Sequence, residues 1–393
     1  MQALNEKTES HAMRQVLFEI PLHDWIGQLH PWLNFLPNVP VYGYGAMLFL
    51  AYLFCQALGK RLAKGEGIDA QLIPDLTIWL FVSGIVGGRL VSIATGWHND
   101  AGTGFDRRPW WDMVKLWDGG LVLYGAIVGA ACGFFGYYHF VLRKHGVSIW
   151  KMLDVAAPCI ALGVALGRIG CLFTGCCYGN VACASCPAIE FPIYANTSPS
   201  HQYTAPAGDM INRRYQTPFG FRLQPDSLEV KAVETGSAAA DAGLRAGDVI
   251  LSINGIPLLK QSDIYRAADA SLKLTVRRDG NEETLDFEPR SIGLHPTQIY
   301  ETISMCLLLF FLLSYYPYKR HDGELMVLLM VGYGVHRFLN EMLRLDVDPG
   351  IGALTMSQII SLFVLAGAVI LAVAVWRRPL NAPTQSLSAQ APK

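Results

Sequence analysis

Charge is scarce in this chain: only 16% of its 393 residues are Asp, Glu, Lys or Arg, 52% are hydrophobic, and mean hydropathy is +0.28. A soluble domain does not sustain that balance, so the sequence reads as a polytopic membrane protein. Basic excess is missing too. The net charge of -1 provides nothing to neutralise a phosphate backbone, and no nucleic-acid partner is expected. No cleavable signal peptide is visible, because the first apolar run begins near residue 41. Internal repeats are absent, which argues against a transporter built from two matching halves. Histidine and acidic partners are lacking around the cysteine cluster Cys171, Cys176, Cys177, Cys183 and Cys186. Disulfides or packing are therefore expected there ahead of a metal, with Cys183 and Cys186 forming a C-x-x-C pair. No cofactor and no metal is expected, and no thiol of the chain is needed as a nucleophile.

What the chain has in quantity is long apolar runs. Seven segments are read as spans: Val41 to Leu58, Leu76 to Ala94, Leu121 to Leu142, Met152 to Phe173, Ile299 to Tyr316, Leu325 to Leu343 and Met356 to Trp376. Each is expected to be helical, since a bilayer offers backbone groups no other partner. Lys60, Arg61 and Lys64, then Arg143 and Lys144, Lys319 and Arg320, and Arg377 and Arg378 follow alternate spans. By the positive-inside rule these connections are cytoplasmic, so the N-terminus and the long segment between spans four and five lie outside. Arg107, Arg108 and Lys115 oppose that pattern, but they sit among Trp110, Trp111 and Trp117, as in an element lying on the membrane surface. Asn381 to Lys393, rich in Ala, Pro, Ser and Gln, is expected to be disordered in the cytoplasm.

From about Thr217 to Arg290 the composition becomes that of a small β-rich domain. Its centre, Gly236 to Gly255, reads GSAAADAGLRAGDVILSING. The expected elements are a helix at Ala238 to Ala242, a turn through Gly247 and Asp248, a strand Val249 to Ile253, an Asn254 and Gly255 hairpin turn, and strands Leu272 to Val276 and Thr284 to Phe287. The run closely resembles the PDZ domain, and that resemblance implies an extended-peptide binder with Phe219, Gly220 and Phe221 as its carboxylate loop. A spacer without ligand is the alternative.

One stretch breaks the apolar rule most sharply. Gly332 to Arg344, GYGVHRFLNEMLR, sets Tyr333, Arg337, Glu341 and Arg344 at i, i+4, i+8 and i+11 of a helix. Ionisable groups at membrane depth are costly, pair with partners and mark functional sites. Arg337 and Glu341 are such a pair, one turn apart, whereas Arg344 taken alone could simply snorkel to the headgroups. Three further blocks carry polar residues at the outer ends of spans: Trp117 to Gly125 (WDGGLVLYG), Gly167 to Gly179 (GRIGCLFTGCCYG) and His295 to Glu301 (HPTQIYE). Arg168 and Arg337 offer planar forks for the phosphate of an anionic lipid headgroup.

Those blocks in that order, with YGYGAM at Tyr44 and Gly45 and GGRL at Gly87 to Leu90, resemble the bacterial prolipoprotein diacylglyceryl transferase family, across most of the chain outside the insert and tails. The resemblance implies an all-α polytopic inner-membrane enzyme of about seven transmembrane helices, here with a small inserted β-rich, PDZ-like domain. It would move diacylglyceryl from phosphatidylglycerol to the lipobox cysteine of a prolipoprotein signal peptide, making a thioether and releasing glycerol phosphate. Carried over residue by residue, Arg168, Arg337, Tyr124 and Glu341 are catalytic. Tyr44, Arg89, Gly179, Gln298, Glu301 and Tyr333 are substrate-binding. Two departures stand out: many members carry His where this chain has Tyr124, and the usual Asn and Glu of the signature are Cys171 and Cys176.

The implied division is an extracytoplasmic segment 1–40, membrane core 41–198, connector 199–216, insert 217–290, membrane core 291–380 and tail 381–393. Partners would be phosphatidylglycerol, prolipoproteins and an extracytoplasmic peptide at the insert. The competing function is a catalytically weak membrane scaffold whose insert binds extended peptides.

Overall fold

The computed structural model describes residues 16–20, 39–95, 123–183, 185–194, 204–264, 271–344 and 354–378. Most of the 1–40 segment, the tryptophan-rich element at 107–117, the WDGG part of its block and the tail lie outside the described residues. The apolar runs become helices: α1 (Gly43–Gly65), α2 (Leu72–Thr95), α3 (Leu123–Tyr137) with a π-helical extension to Leu142, α4 (Ile149–Thr174), α7 (Thr297–Tyr315), α8 (Glu324–Glu341) and α9 (Met356–Trp376). Six of these, all but α8, are long and apolar enough to cross a membrane. The seventh expected span, Leu325 to Leu343, does form α8, but Glu324, Arg337 and Glu341 within 18 residues remove it from that set. Outward faces of the six carry large apolar side chains such as Phe310, Phe363 and Ile370, as lipid contact requires.

The chain divides into two compact units. One comprises Leu50–Gly163, Cys306–Tyr333 and Phe363–Lys393. In it α2 and α3 pack backbone to backbone. A Cβ added at Gly87 would stand 2.6 Å from Gly129 Cα and also meet the Gly125 carbonyl; one added at Gly125 would stand 2.6 Å from Val91 Cβ. Small residues are what allow two helices in lipid to approach so closely. Near one end Asp154, fully buried, accepts hydrogen bonds from Lys319 Nζ (2.8 Å) and from the N–H groups of Gly323 (2.9 Å) and Leu325 (3.0 Å). These last donors open α8, whose first N–H groups have no intrahelical partner, so the carboxylate pins the entry of the helix that carries Arg337. Lys319 also reaches Glu66 at 2.6 Å. Burial opposes its charge, but Asp154 and Glu66 outweigh that and hold its pKa above the usual lysine value.

The other unit comprises Met1–Phe49, Val164–Met305 and Gly334–Leu362. Strands β1 (Val16–Ile20) and β2 (Val39–Tyr42) pair antiparallel just before α1. Beyond α4 come α5 (Ala205–Asn212) and the β-rich region: β3 (Phe221–Leu223), β4 (Val230–Val233), α6 (Ala238–Asp241), β5 (Val249–Ile253), β6 (Ile256–Pro257), β7 (Leu272–Arg278) and β8 (Asn281–Phe287). One sheet is β3-β4 and the second runs β6-β5-β7-β8. Asn254 and Gly255 both have positive φ, 52° and 78°, as the tight turn between β5 and β6 demands. The strand at 249–253 and its turn fall where the residue pattern put them. Alternate residues of β7, Leu272, Leu274 and Val276, point into a core with Ile250, Ile253 and Phe221. That core also draws in Ile193, Tyr194 and Ala207, which precede residue 217. Arg278 grips Asp248 with two bonds, Nε to Oδ1 at 2.8 Å and Nη2 to Oδ2 at 2.7 Å. Burial alone would raise the Asp248 carboxyl, but these bonds and the Arg245 N–H hold it below the ordinary carboxylate value.

Candidate functional site

The end of α4, the start of α7, the last turns of α8 and the start of α9 bring one charged cluster together. Glu301, 1% exposed at its side chain, receives Arg168 Nε at 3.0 Å and lies 3.8 Å from Arg337 Nη1. Arg337 Nη2 reaches Glu341 at 2.9 Å, the i, i+4 pair that helical spacing predicts, and donates to Ser357 Oγ at 2.9 Å. Arg344 Nη1 stands 3.8 Å from the same Glu341 oxygen, so Arg344 belongs to the cluster as well. Asn340 Nδ2 donates to Glu301 (3.3 Å) and Thr355 Oγ1 to Glu341 (3.2 Å). Such extensive pairing is what permits charges with so little water access.

The glycine-rich turn after α4 is clamped against the HPTQ segment. Thr297 Oγ1 donates to the Cys177 carbonyl at 2.6 Å and Gln298 Nε2 to the Cys176 carbonyl at 2.7 Å. Gly179 donates its N–H to the His295 carbonyl (2.9 Å), and a Cβ there would lie 2.6 Å from His295 Cβ and 2.9 Å from the Leu343 carbonyl oxygen. Only glycine lets these three backbones meet. Cys183 and Cys186 are disulfide-bonded, whereas Cys171, Cys176 and Cys177 carry free thiols.

Buried polar atoms without a hydrogen-bond partner concentrate here. Among the described residues they include Gln298 Oε1, Glu301 Oε1, His336 Nε2 and Arg337 Nη1. Native interiors tolerate few such atoms, and a group of them calls for an explanation such as a ligand.

Of the residues singled out by sequence, Arg168, Gln298, Glu301, Arg337 and Glu341 come together. Tyr44, in the first turn of α1 and 40% exposed, lays its ring beside Gly170, two residues beyond Arg168. Tyr333 is half-buried two turns before Glu341 on α8. Arg89 is half-buried in α2, in the other unit. Tyr124 falls in the first turn of α3, its side chain outside the described residues. In the β-rich region Phe219 and Phe221 turn inward and stack at 5.9 Å, while Gly220 takes φ 78° and accepts Ser237 Oγ at 3.2 Å.

His336, Asn340, Thr355 and Ser357 were not anticipated. His336 follows Tyr333 at i+3, which shares a helix face, so the spacing could have shown it; its charge environment is set by Glu301, Arg337 and Arg168. Asn340 follows Arg337 at i+3 and carries the same signal, whereas Thr355 and Ser357 have none in the sequence.

A crystal structure of the HtrA3 PDZ domain bound to a phage-derived ligand matches at 24% identity and TM-score 0.17, over 19% of this chain and 86% of that one. A phosphatidylglycerol–prolipoprotein diacylglyceryl transferase of Rhodopirellula baltica is 29% identical over 373 residues, covering 86% of this chain and 73% of its own. One of Clostridium tetani is 27% identical over 337 residues, covering 86% and 94%. The family model for prolipoprotein diacylglyceryl transferase matches residues 31–374, and the chain belongs to that family.

Proposed function

We propose that the cluster around Arg168, Glu301, Arg337 and Glu341 is the site at which this enzyme transfers diacylglyceryl from phosphatidylglycerol to the lipobox cysteine of a prolipoprotein, the first step of lipoprotein maturation. The observation that carries this assignment is the set of buried polar atoms at Gln298, Glu301, His336 and Arg337 that make no hydrogen bond. Arg168 and Arg337 hold the phosphate, and their guanidinium planes are fixed in advance by Glu301 and Glu341. Fixed cations of this kind stabilise charge that grows on a leaving group. The lipobox thiol gives up its proton, its sulfur attacks the glycerol carbon, and the carbon–oxygen bond to phosphate breaks with its electron pair passing to glycerol phosphate. His336 Nε2 is the proposed proton acceptor. An unperturbed tyrosine, with a pKa of about 10, is a poor base at neutral pH, which speaks against Tyr124 in that role. Tyr44, Tyr333 and Arg89 are assigned to substrate positioning, and Gly179 to the close approach of backbones that shapes the floor.

The chain is a multi-pass membrane protein, and we place it in the bacterial inner membrane with the N-terminus and insert outside and the C-terminus cytoplasmic. The Lys and Arg distribution supports that orientation. The division into membrane core, 217–290 insert and core is kept, with Ile193, Tyr194 and Ala207 as part of the insert's packing. A second reading concerns the insert alone. Among the described residues β3 pairs only with β4, and its other edge suits strand addition by an extended extracytoplasmic peptide.

Purified protein in nanodiscs, given labelled phosphatidylglycerol and a lipobox peptide, tests the main assignment. Transfer to the cysteine peptide and none to its serine counterpart is expected. Wild-type turnover by Arg168→Lys would remove Arg168 from the site, because a point charge does not replace a two-pronged phosphate contact.

A further inference from the structure

The three free thiols beside Arg168 have no part in the reaction as described, and local structure brings them together. Helix α4 ends in a Schellman motif: Cys176 N–H donates to the Cys171 carbonyl at 3.1 Å and Gly175 N–H to the Leu172 carbonyl at 3.2 Å, with Gly175 at φ 66°. This cap sets the side chain five residues on against that of its starting residue, and here both are cysteines. Cys177 then adopts φ 60°, a conformation uncommon outside glycine and worth notice in any other residue. The result is that the Sγ atoms of Cys171, Cys176 and Cys177 all lie within 4.8 Å of one another. Thr297 and Gln298 lock the carbonyls of two of these residues. All three thiols are half-buried. In the same segment Cys183 and Cys186 have found each other, and three thiols cannot all pair.

We propose that Cys171, Cys176 and Cys177 bind one thiophilic divalent cation of the zinc class, and that its fourth position takes the thiol of the substrate cysteine. Thiolate bonds to zinc of about 2.3 Å put sulfurs roughly 4 Å apart around the ion, a separation this cluster reaches by small side-chain rotations. Three protein ligands with one open position is the arrangement of reactive rather than structural zinc. Three thiolates around a divalent ion leave one negative charge, and the guanidiniums of Arg344 and Arg168 bear on Cys177. The Thr297 and Gln298 bonds act as the outer contacts that orient metal ligands.

The proposal rests on the transferase assignment and deepens it. A thiol that binds a metal is deprotonated, so the lipobox S–H proton leaves to His336 and the sulfur is held as a nucleophile. It attacks the glycerol carbon, a carbon–sulfur bond forms, and the carbon–oxygen bond breaks with its pair going to glycerol phosphate beside Arg168. No electron changes owner. The neutral thioether is a weaker donor than a thiolate and leaves the ion.

The test uses full-length protein in nanodiscs with its metal replaced by Co2+. Expected are one ion per chain, thiolate-to-cobalt charge-transfer absorption with the visible bands of a tetrahedral ion, and a further rise in charge transfer when a cysteine lipobox peptide, but not its serine counterpart, is added. The triple variant Cys171→Ser, Cys176→Ser and Cys177→Ser should bind no cobalt. As that variant could misfold, Thr297→Val, with every thiol in place, is expected to weaken cobalt binding roughly 10–100-fold. Cobalt binding equal in wild type and the triple variant would overturn the site. So would a disulfide among the three in freshly purified protein, or full transfer by metal-free enzyme. A spectrum indifferent to the cysteine peptide would overturn the fourth-position role. Transfer by the same wild-type preparation is measured separately. Its absence would refute the transferase assignment, whereas metal results without that absence bear on the cysteines alone.

Discussion

Replacing Glu301 with leucine is the most searching perturbation of the cluster, because this carboxylate serves two arginines. Its side chain is 1% exposed, and those of Arg168 and Arg337 are 14% and 12%, so the discount that applies to surface pairs does not apply. Removing one partner of a buried pair costs about 3–5 kcal/mol, mostly from the charge left behind. Arg337 keeps Glu341 at 2.9 Å, so the burden falls on Arg168 and on Asn340, whose amide loses its acceptor. Glu301→Gln keeps an acceptor but no charge and should cost less, about 1.5–3 kcal/mol, the worth of a hydrogen bond to a charged group. Combining Arg168→Leu with Glu301→Leu removes both charges and should recover most of the lost stability without recovering transfer. Unfolding by SDS titration in mixed micelles reads the three variants on one scale, and transfer to a lipobox peptide reads the chemistry. A Glu301→Leu protein within about 0.5 kcal/mol of wild type, the range of an ordinary surface change, would refute the argument. A double variant less stable than the single one would do the same.

Further outcomes follow from other sites. Gly129→Val drives a side chain into Gly87, whose Cα lies 2.8 Å from where a Cβ would stand; a loss of at least about 1–3 kcal/mol is expected in the same titration, and wild-type stability would mean the two helices can part freely. Gly179→Ala should lower transfer while Gly136→Ala, where no atom lies within 4 Å of the added Cβ, should not, although both are glycines; equal effects in the transfer assay would count against the tight meeting at residue 179. The Asp248 carboxyl has a folded pKa below its unfolded value, so its contribution is complete above the unfolded value of about 3.9 and is lost as pH falls through the folded one. Pepsin cleavage between β5 and β7 should therefore begin only in that acid window in wild type, whereas Asp248→Asn should be weakened already at neutral pH and show no step there.

How far the residues alone lead depends on whether a contact is local. Val249–Ile253 and the Asn254 turn could be read because alternation and turn chemistry act over a few residues. Arg337 with Glu341 was legible for the same reason, one turn of helix. Arg168 with Glu301 joins α4 to α7, and no spacing encodes which carboxylate an arginine finds across a bundle. Arg344, which alone could have been a snorkelling residue, is tied in because Glu341 has an oxygen to share. The closeness of Cys171, Cys176 and Cys177 shows in no C-x-x-C rhythm and in no nearby histidine. Its cause is a helix cap that folds back on itself, so residues five apart in sequence meet only once the cap is recognised. The seventh segment forms its helix, and the same charged residues that make α8 chemically interesting keep it out of the apolar set of six.

The seam between α2 and α3 has a consequence for how a two-tailed lipid gets in. Where Gly87, Gly125 and Gly129 bring backbones into touch, there are no side chains to swing aside and no rotamers to change. The two helices therefore behave as one plank, and separating them would open a gap lined by bare backbone that acyl chains fill poorly. A lateral doorway for substrate belongs at seams closed by long, movable side chains. Spin labels placed on either side of this one should report a single distance whether or not phosphatidylglycerol is turning over.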